Sequence, residues 1–420
     1  MPRHRPFVSL LILCVLLGNR STMADSSSSQ PSGSLTTPAS EPTQLPTAEH
    51  LAGDTSESKK PFTISATLRE IYDDNIYTSK TNTVASFNTE ISPSILLDLP
   101  LEDSEFTARY TFGLTYYSNR PGDSLDLTHE AALQYNHSFS DRFNLTAAEQ
   151  FRYFTEPSIL ESVGTPYRSG AYYSNQVNLG FNAQWTPLIG TSTTYANTIL
   201  RYETGSIALG QDNDENTGSQ SILFAILPKV NLVFGAIIDD ISYDKISRGY
   251  TSYTGNTGLD WQVLPTLSVG ARLGGTYTTA SQIGSSSSPY AAATLAWKLG
   301  ARSSLNFNYT HSVVPTDVVS AEGQIADRFD TTFSYDITPK LNAHLDGILT
   351  HGEYTQYLAA PGATNPNFSE DDTGLDTGLV YHLNTLVDLS LGYEFDGVFS
   401  QQNARDYTRD QIYVGIRGTY

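Results

Sequence analysis

The 420-residue chain is poor in cysteine, methionine and charge: it has one Cys, two Met and only 16% Asp, Glu, Lys and Arg. A soluble enzyme of this length usually carries about 25% charged residues together with several helical segments. No helical stripe is evident beyond the N-terminus. Cys14 lies in an N-terminal apolar run after Leu13, where lipidation favours a small residue, so neither a lipid anchor nor a disulfide framework is expected. Cations are also scarce. Lys and Arg total 24 against 44 Asp and Glu, a formal charge of -20. That balance excludes nucleic acid as a partner, since its binders present basic patches.

The N-terminus has the parts of a secretory signal: basic "MPRHRP", apolar "FVSLLILCVLLG" and the small-residue site "TMA" before Asp25. Residues 1–24 are therefore expected to be a signal peptide. The Ser/Pro-rich stretch 25–60 cannot bury a core and is expected to be a disordered periplasmic tether. Residues 61–420 read as one unit.

Alternation fills that unit. In "SFNTEISPSILLDL" Phe87, Thr89, Ile91, Pro93, Ile95, Leu97 and Leu99 fall on one side, with Asn88, Glu90, Ser92, Ser94, Leu96 and Asp98 on the other. Period two with one apolar and one polar face means a β-strand between lipid and water. The same pattern recurs in "YSNQVNLGFNAQW", "SLNFNYTHSV" and "TLVDLSLGYEFD". About eighteen such segments can be counted, sixteen being the other count considered. Short turns such as "SDR", "LPK" and "TPK" alternate with long polar connections such as "TEPSILESVGTPYRSG", "ETGSIALGQDNDENTGS" and "GEYTQYLAAPGATNPNFSEDD". Sorted connections of this kind predict an all-β fold, a transmembrane antiparallel up-and-down β-barrel with short periplasmic turns and long extracellular loops. Only a closed barrel satisfies the backbone of so much apolar strand in lipid. Tyr116, Tyr117, Tyr153, Tyr172, Tyr173, Tyr202, Tyr243, Trp185, Trp261 and Trp297 sit near segment ends, as aromatic girdles require.

The octet "YDDNIYTS" closes the first segment. Tyr72-Asp73-Asp74-Asn75-Ile76-Tyr77, the following Ile91-Ser92-Pro93-Ser94, the turn Phe139-Ser140-Asp141-Arg142-Phe143 and the later Tyr172-Tyr173-Ser174-Asn175 resemble the putative β-barrel porin type 2 family. The resemblance spans about residues 61–420. It implies a bacterial outer-membrane protein, in some members associated with exopolysaccharide production, and it brings no catalytic residues with it.

Tyr72, Asp73, Asp74 and Asn75 are expected at the extracellular rim, where Asp and Asn bond nearby backbone groups. Gly415 and Tyr420 resemble the terminal signal read by the barrel-insertion machinery, with Gly418 in place of the usual apolar residue. The polar faces would line a lumen carrying Arg69, Glu90, Asp98, Glu105, Arg109, Asp126, Glu130, Arg152, Asp260, Arg272, Lys298, Arg302, Asp346, Asp376, Asp388, Glu394, Asp396 and Arg417. Charges of both signs suit a water-filled conduit with a transverse field, and they could equally brace the wall in pairs. Acidic residues gather on the last segments, which suggests a cation preference.

"GQDNDENTG" and "SEDDTGLDTG" are rich in oxygen ligands but lack the closing Glu of a calcium loop, so they read as solvated loops. His344 with Asp346, and His382 nearby, form a polar cluster without a third strong ligand. No metal and no cofactor is expected. Two stretches resist the pattern. Glu149 falls on an apolar face, and "ILFAILPKVNLVFGAII" is apolar on both faces.

The function expected is that of a non-enzymatic outer-membrane channel, porin-like, passing small polar solutes or an exported polysaccharide. The alternatives are a surface-anchoring barrel with a loop-plugged lumen, and an outer-membrane hydrolase. Outer-membrane lipid and lipopolysaccharide are the expected surroundings, with further copies of the chain as candidate partners.

Overall fold

A computed structural model describes residues 61–155, 170–281, 284–354, 367–402 and 405–420. Eighteen strands follow in chain order: β1 (Phe62–Asp73), β2 (Ser86–Pro100), β3 (Ser104–Tyr117), β4 (Leu125–Ser140), β5 (Phe143–Phe154), β6 (Tyr172–Thr186), β7 (Ile189–Tyr202), β8 (Asn213–Leu227) and β9 (Val230–Tyr243). The second half runs β10 (Gly249–Leu264), β11 (Leu267–Ala280), β12 (Gly284–Lys298), β13 (Ser303–Val314), β14 (Gln324–Thr338), β15 (Leu341–Tyr354), β16 (Phe368–Asn384), β17 (Val387–Ser400) and β18 (Tyr407–Thr419). Helix α1 (Gly205–Gln211) sits between β7 and β8. Every strand pairs antiparallel with its sequence neighbours, and β1 closes on β18 from Ser65↔Thr419 to Asp73↔Gln411. Closure extends to the last residue, since Ile64 and Tyr420 exchange backbone hydrogen bonds of 3.0 and 2.8 Å. No strand edge is left for lipid, as the hydrophobic outer faces demand.

The alternation read from the sequence becomes an outside and an inside. Along β1, Phe62, Ile64, Leu68 and Tyr72 are exposed outward, while Ser65 and the terminal Asp73, on the other face, are buried. The tight turns have a common construction. In six hairpins the register slips by one residue just before the turn, as between Ser138 and Ser140 or between Gln184 and Thr186. Such bulges add local twist and let a short connection close the hairpin.

Several expectations change. "GQDNDENTG" is not a loop: it spans the end of α1 and the start of β8, whose Asn213 pairs with Tyr243 of β9. "SEDDTGLDTG" lies wholly within β16. Both strands continue as ribbons beyond their apolar stretch, and with polar residues on both faces there they lose the signal that marks a strand. Arg302 lies in the turn between β12 and β13, outside the strands that line the interior. Of the aromatics placed in girdles, Tyr117, Tyr172, Tyr202 and Tyr243 are buried. Their neighbours Tyr116 and Tyr173 occupy the opposite, outer side, because adjacent residues of a strand point to opposite faces. The expected signal peptide and tether, and residues 156–169 and 355–366, lie outside the described residues.

Candidate permeation pathway

The interior has two unlike walls. One carries arginines: Arg417 on β18, Arg69 on β1, Arg109 on β3 and Arg152 on β5. Arg109 stands within electrostatic reach of Glu130, Arg417 and Arg152. Acids are interleaved here, with Arg69 4.0 Å from Glu90 and Arg152 directly across from Glu130, which also accepts from Gln150 at 3.1 Å. The Arg69 guanidinium also covers the Tyr413 ring at 4.8 Å.

The other wall carries carboxylates. Asp346 on β15 is paired across the ladder with Asp376 on β16, and Asp376 with Glu394 on β17. Asp396 lies two residues further along β17, across from Arg409. Like charges directly opposite on neighbouring strands destabilise a sheet. The His344 ring lies 3.6 Å from the Asp376 carboxylate. Asp388 is across from Arg417 and bonds His382 at 2.7 Å, so it marks the border between the walls. Elsewhere charges are paired off within the wall: Arg272 meets Asp260 at 2.7 Å and Arg328 meets Asp330 at 2.9 Å. Asp98, Glu105, Asp126 and Lys298 also occupy inward register positions. Of these, Asp126 is clamped by Arg120 at 2.5 Å.

The extracellular mouth is built differently. Tyr172 and Tyr202 are buried against each other, their rings 5.8 Å apart, and Tyr354 stacks on Phe368 at 4.0 Å. Onto this aromatic collar folds the connection 315–323 between β13 and β14. Thr316 bonds the Tyr354 hydroxyl at 2.9 Å, and its carbonyl accepts from Tyr243 at 3.2 Å. Arg248, from the β9–β10 connection, lies 4.0 Å over the Tyr243 ring. It donates to the carbonyls of Ala321, Gly210 and Thr316. Glu322 accepts from the Gly249 amide at 2.6 Å, and Gln211 of α1 donates to the Asp317 carbonyl at 2.7 Å.

Arg405, between β17 and β18, grips Asp317 at 2.7 Å and Glu370 at 2.6 Å. Burial alone would lower the pKa of this guanidinium; its hydrogen bonds and charge contacts with Glu370 and Asp317 outweigh that and raise it. One connection thus bridges the ends of β7–β10 on one side and β15–β18 on the other, leaning across the opening.

The octet follows from the end of β1 and fastens the seam between β1 and β18. The Asn75 backbone amide donates to the Asp73 carboxylate at 2.9 Å, and its side chain donates to the Thr408 carbonyl of β18 at 2.8 Å. Asp73 is fully buried and bonds Arg409 at 2.5 Å. Asp74 accepts from the Asp410 amide at 2.8 Å. Gly415 of β18 faces Arg69 in the register, and Tyr420 closes the ladder with Ile64.

Sequence reasoning missed Arg248, Asp317, Glu322, Glu370, Arg405 and Arg409. Their partners lie up to 336 residues away, and no local pattern marks them. Glu149 does face outward, in register with Leu133 and Val177. The doubly apolar hairpin turns Leu223 and Val233 inward, where both are buried, so these two side chains do not line water. Among the described residues no group of three or more His, Cys, Asp and Glu is placed to hold a metal ion.

Residues 62–420 match the family pattern described as putative beta-barrel porin 2. No curated protein matches the chain. Solved structures similar in outline include Pseudomonas aeruginosa OccK2 (OpdF) in complex with glucuronate, at 11% identity and a TM-score of 0.46, covering 85% of this chain and 98% of that one. The outer membrane protein OpdK of P. aeruginosa matches at 11% and 0.45, covering 86% and 99%. A BenF-like porin from Pseudomonas fluorescens Pf-5 matches at 11% and 0.46, covering 86% and 99%.

Proposed function

The chain belongs to the putative beta-barrel porin 2 family, and from that premise we propose that it is a cation-preferring outer-membrane channel for small polar solutes. Permeation needs no bond chemistry here; solutes are filtered by width and by the field across the lumen. The observation that carries the cation preference is the trio Asp346, Asp376 and Glu394, set side by side on three strands. A sheet that keeps three adjacent carboxylates gives up stability for the negative potential they create. Arg69 and Arg409 stand within electrostatic reach of Glu394 and offset part of this charge; the preference rests on the acids outnumbering them on the β15–β17 side.

Reversal potentials in planar bilayers under a salt gradient test the reading. Cation selectivity is expected, weakened by Asp376→Asn and Glu394→Gln. Anion selectivity of the native protein would refute it.

A second reading draws on the 315–323 connection: a surface-anchoring barrel whose mouth is closed by loops. It predicts no steady current through single molecules in a bilayer, whereas the channel reading predicts a stable open conductance. The hydrolase reading is tested by lipid and glycan cleavage assays on the purified protein.

A further inference from the structure

Three arginines of the inner wall are short of partners. Arg109 on β3 makes no hydrogen bond and no ion pair among the described residues, and the charges that act on it are Glu130, Arg417 and Arg152, two cations against one carboxylate. The Nε atoms of Arg69 and Arg417 are buried and likewise have no acceptor among the described residues. A guanidinium stays charged and offers five donors, and leaving it under-bonded away from bulk water is costly. Such a cluster calls for an anionic occupant.

The cluster lies towards the end of the barrel where β1 begins. Arg417 is two residues from the end of β18 at Thr419, Arg109 five residues into β3 and Arg69 seven residues into β1. Asp98 and Glu105 stand closer to the short turns and are exposed, and the Asp98 amide donates to the Pro61 carbonyl at 2.8 Å. From Pro61 inward, the wall therefore presents acids first and arginines beyond them. The sequence leading to Pro61 carries the reverse order. Lys59 and Lys60 adjoin it, behind them come Glu57, Asp54, Glu49 and Glu41, and no Lys or Arg occurs between 41 and 58. A chain doubling back at Pro61 into the lumen sets its lysines beside Asp98 and Glu105 and its carboxylates beside the arginines. The lengths agree. Arg69 is eight residues past Pro61, about 26 Å along the strand, while Asp54 and Glu49, seven and twelve residues before it, reach about 23 and 40 Å when extended.

We propose that residues 41–58 dock inside the barrel along β18 and β1–β3, with their carboxylates on Arg417, Arg109 and Arg69. The chain's own segment is favoured over a free anion because its charge order mirrors that of the wall. Its tie to β1 also holds it at an effective concentration on the order of millimolar, so weak contacts suffice. Arg69 acts on Glu394 across the lumen, and a carboxylate docked on Arg69 frees Glu394 of part of that offset.

A photo-reactive side chain at Leu51, between Glu49 and Asp54, tests this in the full-length barrel purified from outer membranes, with adducts located by peptide mass spectrometry. The readout needs no conductance, so it stands or falls separately from the channel reading. Intramolecular adducts to inward-facing residues of β18 and β1–β3 are expected. They should be lost in Arg109→Gln and in the triple variant Glu49→Gln, Asp54→Asn, Glu57→Gln, which leaves every strand of the barrel untouched and serves alone if Arg109→Gln fails to fold. Adducts confined to the β15–β17 wall, to the outer surface or to another protein would overturn the proposal. So would adducts that survive the triple variant, and so would the absence of any intramolecular adduct, which would leave the arginines to an anion from solution.

Discussion

The mouth and the mid-lumen of this barrel use the same charged residues in opposite ways. At the mouth, Glu370 and Asp73 are almost wholly buried, with side-chain exposures of 1% and 0%, and each meets an arginine. In the mid-lumen Asp376 keeps 28% of its side chain exposed beside other acids. A buried charge whose partner is removed is costly, whereas a wet charge is stabilised by water and screened by salt. On the proposed channel reading, the dry pairs hold the structure and the wetter carboxylates set the potential that a solute meets.

The sharpest way to break this contrast is at the mouth. Arg405→Gln leaves Asp317 and Glu370 buried without their cation and is expected to cost about 3–5 kcal/mol in reversible unfolding. The same variant should also loosen the 315–323 connection and raise single-channel conductance. A double substitution with Glu370→Gln should recover part of the stability.

Arg248→Met comes next. It removes three carbonyl contacts and the stacking on Tyr243, and about 2–3 kcal/mol is expected by the same unfolding measurement. Asp376→Asn inverts the pattern: stability changes by less than about 1 kcal/mol, in the favourable direction because a like-charge pair is relieved, while reversal potentials lose cation selectivity. Asp98→Asn, on an exposed inward position near the periplasmic turn, should shift unfolding by no more than about 0.5 kcal/mol and barely alter selectivity. If Asp376→Asn proved as destabilising as Arg405→Gln, the division between dry and wet charges would fail.

How far the sequence could be read follows the same division. Period-two alternation gave the strands, their number and their two faces, because lipid and water impose that pattern residue by residue. It also assigned Arg69, Glu90, Asp346, Asp376, Glu394 and Arg417 to the polar face; the ladder sets Arg69 opposite Glu90, Asp346 opposite Asp376 and Asp376 opposite Glu394, neighbours that alternation alone does not name. The pattern stops where β8 and β16 leave the apolar zone, so their polar ends looked like loops. The tyrosines misled for a different reason. Tyr116–Tyr117 and Tyr172–Tyr173 are adjacent pairs of which only one member can face lipid, and applying the alternation along each strand, to Tyr202 and Tyr243 as well, would have separated girdle from collar. The Arg405 and Arg248 contacts had no local signature at all. Each joins connections far apart in the chain and became visible only when the cylinder closed.

The contact between Asp73 and Arg409 has a consequence for assembly. Asp73 belongs to the first ribbon and its arginine to the last, 336 residues later. Until that final segment arrives, the leading carboxylate lacks its counter-charge, and desolvating it early is penalised. A truncated or mis-threaded chain cannot escape the penalty by shutting prematurely with a shorter circumference. The bond thus works as a completeness check, rewarding closure only when both ends of the polypeptide have met.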